Sequence, residues 1–308
     1  MAIIRAGAWL AVLAATAWVW TSRPTPADPF EGLDVVRDVA YRDVDGRPLR
    51  LDLLLPPETS DAPRPLLVAI HGGSWIGGSR RDYAPQFADL VRGGLAVAVI
   101  DYRLARPGAP SWPGALEDVE TAIDWLMARA DRFRLDPERV ALLGTSAGGL
   151  LAARAGRKDR RIAAVVCLST PFDLAGLAAF RRLGHEPVDV FLGVSPTDAP
   201  DLASAASPIA HVAVGGPATL LIHGDDDLWV SVEQARGMQE RLKAAGGLHW
   251  LVVLPGSRHG FELKVGSPHP RDLAPEVRRF LDAAWAEPGR TSRDRPVMAS
   301  RRIRDIAS

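Results

Sequence analysis

Leu143-Gly144-Thr145-Ser146-Ala147-Gly148-Gly149 sits between an apolar, strand-like run, Arg139 to Leu143, and a helix-like run that starts at Gly148. The pattern Gly144-x-Ser146-x-Gly148 is that of a nucleophile elbow, a strained strand-to-helix turn with serine at its tip. Glycine flanks it because a side chain there would collide with neighbouring backbone. Such a turn lifts the hydroxyl off the end of a strand and aims the N-terminus of the next helix at the place where negative charge develops. The stretch therefore predicts a serine nucleophile at the carboxyl end of a strand, and with it a sheet of the kind that feeds helices.

The flanking sequence carries that sheet. From Leu33 the chain alternates polar and apolar residues, and Asp45-Gly46 is a hairpin signal between Val35–Arg42 and Leu49–Leu55. Short, continuous apolar runs follow at Leu66–Ile70, Leu95–Ile100, Val140–Leu143, Ile162–Leu168, Thr219–Ile222 and Trp250–Leu254, as expected of strands buried on both faces. Helix-like stretches at Tyr83–Arg92, Ala115–Arg132, Gly148–Ala155, Val232–Ala245 and Pro275–Ala286 separate most of them. Alternating strand and helix predicts one α/β domain, residues 34–286, with a mostly parallel sheet of about eight strands covered by helices on both faces. The segment 169–214, after the sixth strand, is too long and too rich in proline for a simple crossover, which makes it a candidate lid or pocket-forming insertion.

Composition narrows the functional classes. The chain has 308 residues, 47% of them hydrophobic, with 37 basic and 37 acidic side chains, so it lacks the concentrated basic face of a nucleic-acid binder. Its single cysteine, Cys167, rules out an internal disulfide and a cysteine-based metal site, and its apolar run marks it as a small buried hydrophobe. At the N-terminus, Arg5 precedes the mostly apolar Ala6 to Trp20, with Ala15-Thr16-Ala17 as a small-x-small cleavage pattern. Residues 1–22 are therefore expected to be a signal peptide or N-terminal membrane anchor, which implies export or membrane attachment. A Pro-rich linker, 23–33, follows, and 287–308 is expected to be a disordered basic tail with six arginines.

A serine hydroxyl needs a base, and the base needs a carboxylate to orient it. After the strand Trp250–Leu254 comes Pro255-Gly256-Ser257-Arg258-His259-Gly260-Phe261, which presents His259 at a strand end. After the preceding strand comes His223-Gly224-Asp225-Asp226-Asp227, with three carboxylates in the equivalent place. The order Ser, Asp, His is the one that accompanies an elbow of this type. His71-Gly72-Gly73-Ser74-Trp75 directly follows the strand Leu66–Ile70. Backbone N–H groups of this loop, with that of Ala147, can converge on an oxyanion. His71 and His223 are read as turn and hydrogen-bonding residues, and Asp118 and Glu117 as loop anchors. Trp75, Trp112 and Trp229 are either pocket or core residues.

The segments HGGSW, DYRLA (101–105), ALEDVETAIDWL (115–126), LDPERVALLGTSAGG (135–149), LLIHGDDDLWV and SRHGF together resemble the α/β-hydrolase carboxylesterases of the hormone-sensitive-lipase-like and bacterial feruloyl-esterase-like groups, to which kynurenine formamidases are also similar. The resemblance covers about 34–286. It implies Asp227 as the triad acid beside Ser146 and His259, and Gly73, Ser74 and Ala147 as oxyanion donors. It also implies that no metal or organic cofactor takes part. Ser74 replaces the common third glycine, and Arg106-Pro107 replaces the familiar Pro-Glu after DYRLA, which favours the HGGxW esterase and formamidase branch. The expected function is hydrolysis of small or medium-sized carboxylic esters, with a small-molecule ester as partner. The alternatives are arylformamidase activity and a catalytically silent, membrane-tethered binding protein on a hydrolase scaffold.

Overall fold

Asp45 and Gly46 turn the chain with φ of 53° and 75°, the two left-handed residues of a type I′ turn. Val44 therefore pairs with Arg47. Strand β1 (Asp34–Val44) runs antiparallel to β2 (Arg47–Leu55). The structure is a computed structural model that describes residues 28–57, 62–179, 186–261, 263–266 and 268–286. Residues up to Glu31 form a unit of their own, of which the described part is a turn with the Phe30 N–H donating to Asp28 Oδ1 at 3.0 Å. The expected signal or anchor segment and the basic tail lie outside the described residues. Among the described residues no helix is long and apolar enough to cross a membrane.

Six further strands complete one sheet: β3 (Arg64–Ile70), β4 (Ala96–Ile100), β5 (Leu135–Thr145), β6 (Ile162–Leu168), β7 (Ala218–Gly224) and β8 (His249–Leu254). Their spatial order is β1-β2-β4-β3-β5-β6-β7-β8. The first three neighbours pair antiparallel and all the others parallel. Successive side chains of a strand point to opposite faces, and each face has its own cover. Leu66, Val68, Ile70, Val140 and Leu142 share a core with α1 (Gly114–Met127), through Val119, Ile123 and Leu126, and with α2 (Ala147–Lys158), through Leu151 and Ala155. On the other face lie Leu67, Ala69, Val97, Val99, Ala141, Leu143 and Val166, all fully buried.

Among the described residues, the insertion after β6 contains three short α-helices, α3 (Leu174–Ala179), α4 (Glu186–Leu192) and α5 (Pro200–Ala206). Phe172, Leu174, Phe191, Ala203 and Ala206 embed it in the main core. It is therefore part of the domain's packing, since burying a Phe or Leu side chain stabilises by roughly 1.5–3 kcal/mol. Helices α6 (Glu233–Ala244) and α7 (Ala274–Trp285) complete the layers. Met238 and Leu242 of α6 join the first core, and α7 packs on β6 and β7 through the face that holds Val277, Phe280 and Leu281.

Three elements differ from the sequence pattern. The helix-like stretch 83–92 is a 3-10 turn, Ala84–Phe87, followed by a short helix, Ala88–Arg92. The run 115–132, which reads as one helix, is broken: α1 ends at Met127, a helical turn covers Ala130–Phe133, and Arg134 reverses the chain at φ 55°. Arg129 leaves helical geometry at φ −123° while its guanidinium sits 4.0 Å from the Trp125 ring centroid. Strand β5 begins five residues before the apolar run, because Leu135 and Asp136 pair with Arg64 and Pro65 across a register shift.

Candidate active site

The elbow is formed by the meeting of β5 and α2. Ser146 has φ 54° and ψ −119°, a conformation that costs a non-glycine residue on the order of 1–3 kcal/mol. It is held there by its N–H, which donates to Leu168 O at the end of β6 at 2.8 Å, and by close packing on either side. A Cβ on Gly144 would run into the Gly148 carbonyl, and one on Gly148 would run into the carbonyls of Ile70 and His71. Only glycine lets β3, β5 and α2 approach this closely. The result places Ser146 Oγ at the mouth of the sheet, over the first turn of α2.

The loops after β7 and β8 reach the same point. His259 Nε2 lies 3.0 Å from Ser146 Oγ, and His259 Nδ1 lies 2.7 Å from Asp227 Oδ2. Because a carboxylate only accepts, Nδ1 carries the proton and Nε2 is free to accept from the serine hydroxyl. Asp227 is 5% exposed. Its Oδ1 accepts from the N–H groups of Trp229 and Val230, both at 2.9 Å. Burial pushes the Asp227 carboxyl up, but hydrogen bonds from His223 and His259 and from the Val230 N–H outweigh it and hold the group well below the ordinary carboxylate range. The structure thus selects one of the three adjacent acids. Asp225 instead accepts from Gly256 N–H at 2.6 Å, and Asp226 pairs with Arg258 at 3.3 Å, so both hold the histidine loop in place.

Among the described residues, the N–H groups of Gly73, Ser74 and Ala147 have no protein acceptor. Gly73 (φ 116°) and Ser74 (φ 54°) both hold left-handed backbone, which for Ser74 carries a steric cost that glycine would not. The loop is braced from beneath. Gly73 O accepts from Ile76 and Gly77 N–H at 3.0 and 2.9 Å. His71, 3% exposed, donates from Nδ1 to Gly72 O at 2.7 Å and stacks on Tyr102 at 4.4 Å. Burial lowers the His71 pKa, which favours a neutral ring. Arg80, at the end of the loop, is buried in ion pairs with Asp38, Asp52 at 3.1 Å and Asp101 at 2.5 Å, which tie it to β1, β2 and the end of β4.

Several residues outside the triad and the oxyanion loop support the site, in the roles their sequence positions predict. His223, 1% exposed, donates from Nε2 to Val230 O at 2.8 Å with Asp227 Oδ2 at 3.4 Å, so it braces the acid loop; its signal is the His-Gly pair at a strand end. Of the tryptophans, Trp75 is buried and stacks on Phe191 of α4 at 4.3 Å. Trp229 is 55% exposed and lies nearly parallel to the His259 ring, centroids 6.2 Å apart. With Ile76 and Leu228, also exposed, it gives the surroundings of the site an apolar character. Asp118, fully buried, accepts from Arg103 N–H, Nε and Nη2 at 2.8–2.9 Å and from Arg42 at 2.8 Å, anchoring the loop after β4.

A mostly parallel sheet in this strand order, with a serine at a strand-to-helix elbow and an acid and a histidine on loops further along, defines an α/β-hydrolase. The sequence profile of the BD-FAE family matches residues 51–242, and the chain belongs to that family. It is similar to Esterase LipC of Mycobacterium tuberculosis, 34% identical over 224 residues, which cover 67% of this chain and 55% of LipC. It is also similar to the probable carboxylic ester hydrolase LipM of the same organism, 28% identical over 280 residues, covering 85% of this chain and 64% of LipM. The chain thus spans just over half to just under two thirds of the length of these relatives. A propionate-bound esterase from Thermogutta terrifontis superposes with a TM-score of 0.62 at 26% identity, covering 85% of this chain and 95% of that one.

Proposed function

We propose that the chain is a serine hydrolase that cleaves carboxylic esters of small or medium-sized substrates through an acyl-enzyme. The observation that carries the reading is the continuous relay from Ser146 Oγ to His259 Nε2 at 3.0 Å and from His259 Nδ1 to Asp227 at 2.7 Å. In this mechanism Ser146 Oγ attacks the ester carbonyl while His259 Nε2 takes its proton, and buried Asp227 stabilises the imidazolium that forms. The carbonyl oxygen becomes an oxyanion that accepts from the N–H groups of Gly73, Ser74 and Ala147, each such donor typically contributing about 3 kcal/mol. Collapse of the tetrahedral adduct breaks the ester C–O bond, and His259 returns its proton to the departing alcohol. Water, deprotonated by the same nitrogen, then attacks the acyl-serine and releases the acid.

The names of the relatives, an esterase and a probable carboxylic ester hydrolase, support this reading. So does the propionate, a short carboxylic acid, bound to the Thermogutta enzyme. The test is hydrolysis of p-nitrophenyl acetate, butyrate and octanoate by the parent and by Ser146→Ala. Turnover should fall at least about a thousandfold in the variant, and the chain-length preference gives the size of the acyl site. Equal turnover by both proteins would overturn the proposal.

A further inference from the structure

Two turns past Ser146, helix α2 carries Arg154 and Arg157. Among the described residues neither guanidinium has a carboxylate within ion-pair distance, and the Nε atom of each is buried without a hydrogen-bond partner. Elsewhere the molecule treats such groups differently: buried Arg80 meets three aspartates, and half-buried Arg103 is clasped by Asp118. Arg154 is 8% exposed, with its guanidinium carbon 5.9 Å from the Trp112 ring centroid. Arg157 Nη1 reaches the Gly216 backbone, where a Cβ would stand 2.7 Å from it. The turn Pro208–His211 packs on the same helix. His211 donates from Nε2 to Ala205 O at 3.1 Å.

Burial depresses the pKa of Arg154, and burial followed by repulsion from Arg154 depresses that of Arg157. Burial, and then the two arginines, lower that of His211. Glu120 of α1 acts on Arg154 from a distance, but its carboxylate is engaged by Lys158 at 2.6 Å. Two desolvated cations without counter-ions are unfavourable unless an anion completes them. Guanidinium forks fit tetrahedral oxyanions by paired hydrogen bonds, and two unbalanced positive charges match a dianion.

We propose that Arg154 and Arg157, flanked by Trp112, the Gly216 backbone and the turn that carries His211, form a binding site for a phosphate dianion, free or carried by a small phosphomonoester whose organic part rests on the indole. Arg154 is eight residues from Ser146, about 12 Å along the helix at 1.5 Å per residue, so the site is separate from the serine.

The test is calorimetric titration of the full chain with inorganic phosphate, glycerol phosphate and succinate, in chloride buffer at matched ionic strength. It is repeated on the double variant Arg154→Met/Arg157→Met. Saturable binding of phosphate or glycerol phosphate is expected, weakened at least about tenfold in the double variant, with esterase turnover in phosphate-free buffer unchanged. Glycerol phosphate binding the tighter of the two identifies an ester as the ligand, and equal binding identifies free phosphate. Should the double variant not fold, the parent protein decides: phosphate, and not chloride, should protect Arg154 and Arg157 from phenylglyoxal, read by peptide mass. No saturable binding of either phosphate, succinate binding as tightly, undiminished binding by the double variant, or labelling unaffected by phosphate would each overturn the proposal.

Discussion

Four non-glycine residues with left-handed backbone, Ser74, Trp75, Ser146 and Ser169, follow the carboxyl ends of β3, β5 and β6. The strain is thus concentrated where the oxyanion loop and the elbow meet. At Ser74 only the N–H serves the proposed chemistry, so the side chain can be removed. Left-handed geometry costs about 1–2 kcal/mol, and glycine's extra chain entropy offsets about 0.5–1 of that. Ser74→Gly should therefore raise stability by up to about 1 kcal/mol in urea denaturation, with turnover maintained. Ser74→Pro both deletes the donor and forces φ towards about −65° where the loop holds 54°, so it should distort the loop and lower kcat by at least about two to three powers of ten. Asp227→Asn should lower kcat by about four powers of ten with little change in KM, since the amide favours the wrong imidazole tautomer. The pH dependence follows from the direction of the shift. The folded pKa of Asp227 is depressed, so its stabilising contribution is present above the unfolded value of about 3.9 and is lost as pH falls from there towards the folded value. The gap in Tm between parent and Asp227→Asn should be widest above about pH 5 and narrow progressively as pH falls below about 4, as melting curves extended to lower pH would show. Of these residues Ser146 and His259 were legible as motifs, because glycine-flanked turns are written locally. The choice among Asp225, Asp226 and Asp227 was not legible from spacing, since it depends on which carboxylate the fold buries, and only the family resemblance pointed to the third.

At the scale of elements, the loop after β4 and the oxyanion loop are one assembly. Ala105 N–H donates to Trp75 O at 2.8 Å, Arg103 is clasped by Asp118 of α1, and Asp118 also holds Arg42 of β1. Asp118→Ala would leave two guanidinium groups without their shared acceptor, and should cost about 3–5 kcal/mol in denaturant unfolding. Phe191 joins the insertion to the same assembly by stacking on Trp75 and meeting Trp112 edge-on. Phe191→Ala should cost about 3–5 kcal/mol and alter acyl-chain preference, measured on the p-nitrophenyl series. The hairpin and the buried strands were legible because each has an unmistakable local pattern, Asp45-Gly46 for the turn and uninterrupted apolar runs for the strands. The short helices of the insertion were not, since α3 and α5 are stabilised by Phe172, Ala203 and Ala206 meeting the distant core and not by any periodicity of their own. The break at Arg129 has no local signal either, as Ala128, Arg129 and Ala130 are all good helix formers.

For the whole molecule, Cys167 is a natural reporter. It pairs with Gly144 on one side and Leu221 on the other in the middle of the sheet, and burial pushes its thiol up to about 12. Native protein should react with a thiol reagent only as fast as the sheet opens, so labelling should accelerate with denaturant as steeply as global unfolding does. Rapid labelling in native buffer would show a local opening at β6. The overall architecture was legible from the alternation of strand and helix, whereas strand order and register were not, because they are set by crossovers between residues far apart in sequence. That order also separates the relay into two halves. The nucleophile and the oxyanion loop follow β5 and β3, which are adjacent and central. The acid and the base follow β7 and β8, and β8 is the border of the sheet, with four of its six residue positions only partly covered. A border strand frays at lower temperature than the interior it borders. Warming should therefore detach base from nucleophile while the interior is still intact, so that the protein falls silent some degrees before it melts and recovers on cooling, a reversible thermal fuse built into the edge of the sheet.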